Sequence, residues 1–201
     1  MNKKLLALDL STTCTGYAFF NVERCELLSF GVIKPTKKGL AKLTYPKKQL
    51  FIMRDISKKI IDLIKENEPE ALSIILIEEI NRSISRTSQK TLDGFHYILV
   101  DYLEKAQLVD RVKYKDSDGK TGWRSKLGLV LSADDKKMNE KHRQINSKKR
   151  IGSKDLVIIN KKHLAARKVN ELYGTDFDVE ESPEIADMVD AIGLGTAYLQ
   201  K

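Results

Sequence analysis

The chain has 201 residues, 32% charged and 41% hydrophobic, a balance that excludes disordered and fibrous classes and fits a single soluble domain. No apolar run reaches the roughly 18 residues that cross a bilayer, and Asp9 interrupts the stretch a secretory leader needs, so a cytoplasmic chain is expected. The net charge of +8 is concentrated: residues 111–168 hold 18 Lys/Arg against 6 Asp/Glu, leaving the remainder net negative, which points to a polyanionic partner met by one stretch.

Lys4 to Asp9 is a short apolar run that predicts a buried strand. Ser11 to Gly16 is small and polar, as in a turn, and Tyr17 to Val22 and Leu27 to Ile33 read as two more strands. Short turns between these three strands predict an antiparallel meander. Leu50, Met53, Ile56, Ile60, Leu63 and Ile64 keep helical spacing up to Pro69, and Ser73 to Glu78, the most apolar segment, predicts a central strand covered on both faces. A second helix is expected from about Thr91 to Ala106, and a further strand at Val109 to Tyr114. Ala133 to Ser153 is almost wholly polar and reads as a basic, flexible insertion. Helical periodicity returns from Leu156 to Leu172, closed by Gly174, and Ser182-Pro183 opens a last helix to Leu199. The expectation is one α/β domain spanning residues 1–201, a mixed sheet with helices packed on it.

Cys14 and Cys25 make no cluster with the three histidines, so a structural zinc site is not expected. The acids are more informative. Asp9 and Glu78 each close an apolar strand, where a carboxylate is costly unless paired, hydrogen-bonded or bound to a cation. Each alone is also what a strand-end acid tied to a lysine or a backbone amide looks like. Glu79 is adjacent, but successive strand side chains face opposite ways, so only one of the pair can share a face with Asp9. Asp187 and Asp190, three apart near the start of the last helix, share one helix face. Complementing the helix macrodipole explains Asp187 well and Asp190 less well, because Asp190 lies already within the apolar face. Taken together, two strand-end acids and a helical acid pair are the minimum kit for hard divalent cations acting on a phosphodiester.

Leu6-Ala-Leu-Asp9 through Gly16-Tyr-Ala resembles the first motif of RuvC-type Holliday junction resolvases of the RNase H-like superfamily. Ile77-Glu78-Glu-Ile resembles their second motif, and Ala186-Asp187-x-x-Asp190-Ala-Ile their C-terminal one. The three fall in the family's order, and the basic 133–153 segment is closer to the bacteriophage-encoded branch, placing such a protein in the host cytoplasm. The resemblance implies an RNase H-like five-stranded mixed sheet flanked by helices, a homodimer, and paired Mg²⁺-dependent nicks in four-way DNA junctions. It implies two Mg²⁺ ions, with Mn²⁺ as a substitute, held by Asp9, Glu78, Asp187 and Asp190, with Asp9 bridging both. The helix from Thr91 to Ala106, with Phe95 or Tyr97, matches the family's dimer contact. Lys162 matches a lysine near the scissile phosphate, and Trp123-Arg124-Ser-Lys126 a basic DNA-contacting motif. Arg82, Arg86, Arg124, Lys126 and Lys161 are therefore expected to follow the DNA backbone, giving affinity and salt dependence rather than sequence readout.

Three alternatives stand beside this reading. One is a non-catalytic branched-DNA-binding protein, and another an RNase H-like nuclease acting on an RNA–DNA hybrid, or on forks and flaps as well as junctions. Asp9 to Gly16 also fits the phosphate loop of actin-like ATPases, but those need a duplicated domain and a Gly-rich adenosine motif that this sequence does not hold.

Overall fold

Alternation along the first strand divides the molecule. A computed structural model describes residues 3–79, 86–148 and 155–200. In strand β1 (Lys4–Asp9), Leu6 and Leu8 join one core while Leu5 and Ala7 join another, so both sheet faces are covered. Strands β2 (Thr15–Asn21) and β3 (Glu26–Ile33) continue from β1 as the expected antiparallel meander. Strand β4 (Leu72–Glu79) pairs parallel with β1, with Leu8 opposite Ile77, and β5 (Val112–Asp116) pairs parallel with β4. The sheet order is β3-β2-β1-β4-β5, the mixed five-stranded sheet expected.

Helices α1 (Lys47–Glu66) and α2 (Arg86–Lys105) cover one face, where Ile56, Ile60, Phe95 and Leu99 meet Leu6, Leu8, Ile75 and Ile77. The other face carries α3 (Trp123–Lys126), α5 (Lys161–Tyr173) and α6 (Pro183–Leu199). Helix α6 lies directly on β1 and β2 because its contact residues are small. A Cβ on Gly195 would stand 2.2 Å from the Phe20 ring, and one on Gly193 2.6 Å from Trp123. No helix among the described residues is long and apolar enough to cross a membrane.

Several boundaries differ from expectation: α2 begins at Arg86 rather than about Thr91, and β5 at Val112 rather than Val109, because Val109–Arg111 form a 3₁₀ turn. Residues 133–147, expected within a flexible insertion, form helix α4 (Ala133–Ser147). Ser132 and Asp135 make a reciprocal capping box, and Asp134 and Asp135 sit where the helix dipole favours acids. Asn139, buried, bonds both the N–H and the carbonyl of Ile159 at 2.7 Å, and Arg167 pairs with Asp135 at 2.8 Å. These polar anchors replace the missing apolar stripe; residues 149–153 of the segment lie outside the described residues. The helix expected from Leu156 begins instead at Lys161, because Leu156 and Ile159 give their backbone groups to Asn146 and Asn139 and Asn160 caps α5.

Candidate metal centre

Parallel pairing brings the carboxyl ends of β1 and β4 side by side, the edge at which open α/β sheets carry their ligands. Asp9 follows Leu5 and Ala7 on the α6 face, and Glu78 follows Leu76 on the same face. Glu79 turns the other way and lines a recess with Asp93, His96, Tyr97 and Tyr114. Helix α6 delivers the remaining acids. The motif glycine, Gly16, makes this approach possible, since a Cβ there would stand 2.0 Å from the Asp187 carbonyl oxygen.

Asp9, Glu78 and Asp190 each offer a carboxylate oxygen within 4.8 Å of the others. Glu78 and Asp190 are buried and Asp9 is half-buried. Asp187 stands beside this trio rather than within it, with Lys162 Nζ 3.9 Å from its Oδ1. Lys161 and Lys162 occupy the first turn of α5, where the helix dipole disfavours cations. Nearby acids offset that cost: Lys162 faces Asp187, and Lys161 pairs with Asp118 at 2.5 Å.

Crowding shows in the acids' affinities for protons. Desolvation, then Glu78, Asp190 and Asp187, push Asp9 well above the usual carboxylate range, with Lys162 opposing. Burial raises Asp190, and Arg124 and Lys162 hold it down; burial also raises Glu78, opposed first by Arg124. Burial pushes Asp187 up to about 6, with Lys162 opposing and Asp190 adding to it. Buried carboxylates that repel one another gain most from a shared cation. Asp190 Oδ1 is buried with no hydrogen-bond partner, and three convergent carboxylates form an all-oxygen donor set, so the residues fit a hard divalent ion.

Of the cations expected along DNA, Arg86 is exposed at the first residue of α2 and Lys126 is exposed at the last residue of α3. Arg82 lies outside the described residues. Arg124 does not face solvent as expected: its Nη2 lies 3.0 Å from Asp190 Oδ2 and 3.6 Å from Glu78 Oε1. The turn-rich 116–122 segment folds α3 over the strand ends, and Trp123, fully buried, anchors it beneath Gly193. Asp118, 3.8 Å from Arg124 Nη1, escaped notice in the sequence because a solvated turn aspartate looks the same. Phe95 is wholly buried in the α1–α2 core, whereas Tyr97 is 78% exposed.

No protein-family model and no curated protein matches the sequence. Solved structures do. Thermus thermophilus RuvC in complex with a Holliday junction substrate aligns over 97% of this chain and 91% of its own, at 11% identity and a TM-score of 0.58. Another structure of Thermus thermophilus RuvC aligns over 96% and 92%, at 12% identity and TM-score 0.52. The yeast mitochondrial Holliday junction resolvase Ydc2 aligns over 98% of this chain and 78% of its own, at 14% identity and TM-score 0.52. The chain thus has the RuvC-type, RNase H-like fold.

Proposed function

We propose that this chain is a divalent-metal-dependent endonuclease that nicks branched DNA, four-way junctions foremost. The observation that carries the reading is the meeting of Asp9, Glu78 and Asp190 at the carboxyl ends of β1 and β4, beneath α6, in a RuvC-type fold. Asp9, Glu78 and Asp190 would hold the metal, Asp187 completing the shell. When bound, Mg²⁺ or Mn²⁺ supplies Lewis-acid activation of water and charge neutralisation at the phosphodiester, two ions doing both most fully. Among the protein's own groups, Lys162, half exposed beside Asp187, is placed to neutralise a non-bridging phosphate oxygen. Gly16 and the small residues of α6 fix the spacing of the acids before substrate arrives. The basic stretch of residues 111–168 would track phosphates, so affinity would fall steeply with salt. Paired nicks need two such sites, which favours a homodimer, and the exposed Tyr97 on α2 suits a partner surface. RuvC itself was captured on a Holliday junction substrate, and the shared fold supports the same class of substrate for this chain.

The test is cleavage of a four-way junction, a fork, a flap, an RNA–DNA hybrid and plain duplex, in Mg²⁺ and in Ca²⁺. Junction nicking in Mg²⁺ is expected, with Asp9→Asn and Asp190→Asn inactive yet able to bind the junction. Wild-type rates from either variant would remove the carboxylates from the chemistry; cleavage of the hybrid alone would move the substrate to RNA–DNA.

A further inference from the structure

Lys162 is half exposed beside the acids, as a phosphate-binding cation should be, but Arg124 is not. Its side chain is only 17% exposed and is held from four sides: Asp190 at 3.0 Å, Glu78 at 3.6 Å, Asp118 at 3.8 Å, and the Trp123 ring with its centroid 4.8 Å from the guanidinium carbon. The grip is nevertheless incomplete. A guanidinium normally meets a carboxylate with two parallel N–H donors. Here a single nitrogen, Nη2, is divided between two carboxylates, Nε is buried without a partner, and Asp190 Oδ1 is left unpaired. The carboxylates that Arg124 engages, Glu78 and Asp190, are two of the three that converge as metal ligands.

Charge favours the same conclusion. Asp9, Glu78, Asp187 and Asp190 face two side-chain cations, Arg124 and Lys162, a formal deficit that one divalent ion balances. A second divalent ion would leave the site strongly positive unless a side-chain cation withdrew or phosphate entered. Asp118 offers the withdrawal: it is 55% exposed, already within ion-pair distance of Arg124 Nη1, and uses its other oxygen for Lys161. A short rotation would exchange Glu78 and Asp190 for Asp118 and an incoming phosphate.

We propose that Arg124 is a resident counter-ion of the metal-free site, competing with divalent metal for Glu78 and Asp190 and turning to DNA phosphate once metal displaces it. The proposal rests on reading the acids as a metal centre. It makes metal affinity in the absence of DNA weaker than the carboxylates alone would give, because ions bind only the fraction of molecules whose guanidinium has withdrawn. Arg124 is thus a positioning residue for the ligands in one state and a backbone contact in the other.

Mn²⁺ binding to the DNA-free protein at pH 8, followed by calorimetry, separates competition from a merely structural ion pair. Arg124→Gln is expected to bind Mn²⁺ roughly tenfold more tightly than wild type, the effect of removing a competing cation of ordinary strength. Arg124→Lys keeps the charge and protects folding, but a compact ammonium cannot span both carboxylates, so an intermediate gain is expected. The melting temperature of metal-free Arg124→Gln should fall and millimolar Mg²⁺ should restore most of it. Equal or weaker Mn²⁺ affinity in both variants would overturn the competition. The hand-over is read from junction binding against salt: Arg124→Gln should lower the slope by about one phosphate contact in Ca²⁺ and leave it unchanged in EDTA. Equal slopes in Ca²⁺ would refute that half. If neither wild type nor variant takes up Mn²⁺, the metal-centre reading fails, and the proposal with it.

Discussion

The two faces of the sheet are built from the same strands and have opposite characters. On the α1–α2 face, Leu6, Leu8, Ile75 and Ile77 meet Ile56, Ile60, Phe95 and Leu99, a packed apolar layer in which no charged residue is buried among the described residues. On the α6 face, Leu5, Ala7 and Leu76 begin in the same way, but the layer thins to glycine and alanine and ends in Asp9, Glu78 and Asp190. One residue along β4 separates the characters: Ile77 is core, Glu78 is site, and Glu79 is on the first face again. Both faces are packed, but the stored electrostatic cost lies on the α6 face alone, where a protein that must hold a cation would place it.

The sharpest way to break that comparison is to neutralise the site without disturbing the core. Asp9→Asn removes a charge that three neighbouring carboxylates disfavour. Its expected cost is at least about a thousandfold in Mg²⁺-dependent junction cleavage, the scale on which a lost metal-ligating group acts on a barrier. The metal-free variant should nevertheless melt at a higher temperature than wild type. An active Asp9→Asn would take this carboxylate out of the chemistry, and one both inactive and destabilised would mean that it serves the fold.

The mirror experiment is on the other face. Ile77→Ala, one residue from Glu78 and wholly buried, should cost about 2–5 kcal/mol in urea unfolding, the range for truncating a buried aliphatic side chain. Mn²⁺ affinity of the molecules that remain folded should stay near wild type. A variant that unfolds no more easily but loses metal would show that the faces are not separate in energy.

Much of this division was legible in the sequence. The boundaries of β1 and α6 follow from the apolar run and from a Ser-Pro helix start. Alternation lets only one of Glu78 and Glu79 share a face with Asp9, and the resemblance to the second family motif picks Glu78. Strand period and helix capping are local rules; the register between β1 and β4, which puts Glu78 rather than Glu79 beside Asp9, is not. What could not be read depends on long-range packing. Arg124 sits in a turn-rich segment whose direction is set by burying Trp123 against Gly193, a contact between residues 70 apart in the chain. Ser132 followed three positions later by Asp135 is a local signal for the start of α4, but it opens a segment with too few apolar residues to show a helical face.

A smaller effect follows from acidity. Asp187 has its pKa raised from 3.8 to about 6, chiefly by burial. Between roughly pH 4 and pH 6 the folded, metal-free protein therefore binds more protons than the unfolded chain. Stability present below that window must be lost as the pH rises through it, by about 3 kcal/mol at most from this residue. Asp55 on α1 and His96 on α2, both with lowered pKa values, act in the opposite sense, so the part due to Asp187 is read from the difference between wild type and Asp187→Asn. Melting curves from pH 4 to pH 7 in EDTA should fall with pH, and Asp187→Asn should flatten the part due to this group. Mg²⁺, which binds the ionised carboxylates, should lift the high-pH end. A pH slope left unchanged by Asp187→Asn would show that this acid is not strained by burial.

The smallest expected effect is the most exacting test of the alternation. Glu79 differs from Glu78 by a single position, is exposed, and faces the recess lined by His96, Tyr97 and Tyr114 rather than Asp9. Glu79→Gln should change stability by no more than about 0.5 kcal/mol, as surface substitutions usually do. Mn²⁺ affinity and the cleavage rate should stay within a factor of two or so, because that margin corresponds to under about half a kcal/mol. Glu78→Gln, one residue earlier, should lose both metal and cleavage while folding normally in EDTA. Calorimetry and cleavage assays on the two variants, made side by side, read the strand's period directly. If Glu79→Gln proved the damaging change, the strand ends would be turned by one residue and the metal would lie on the α2 side of the sheet.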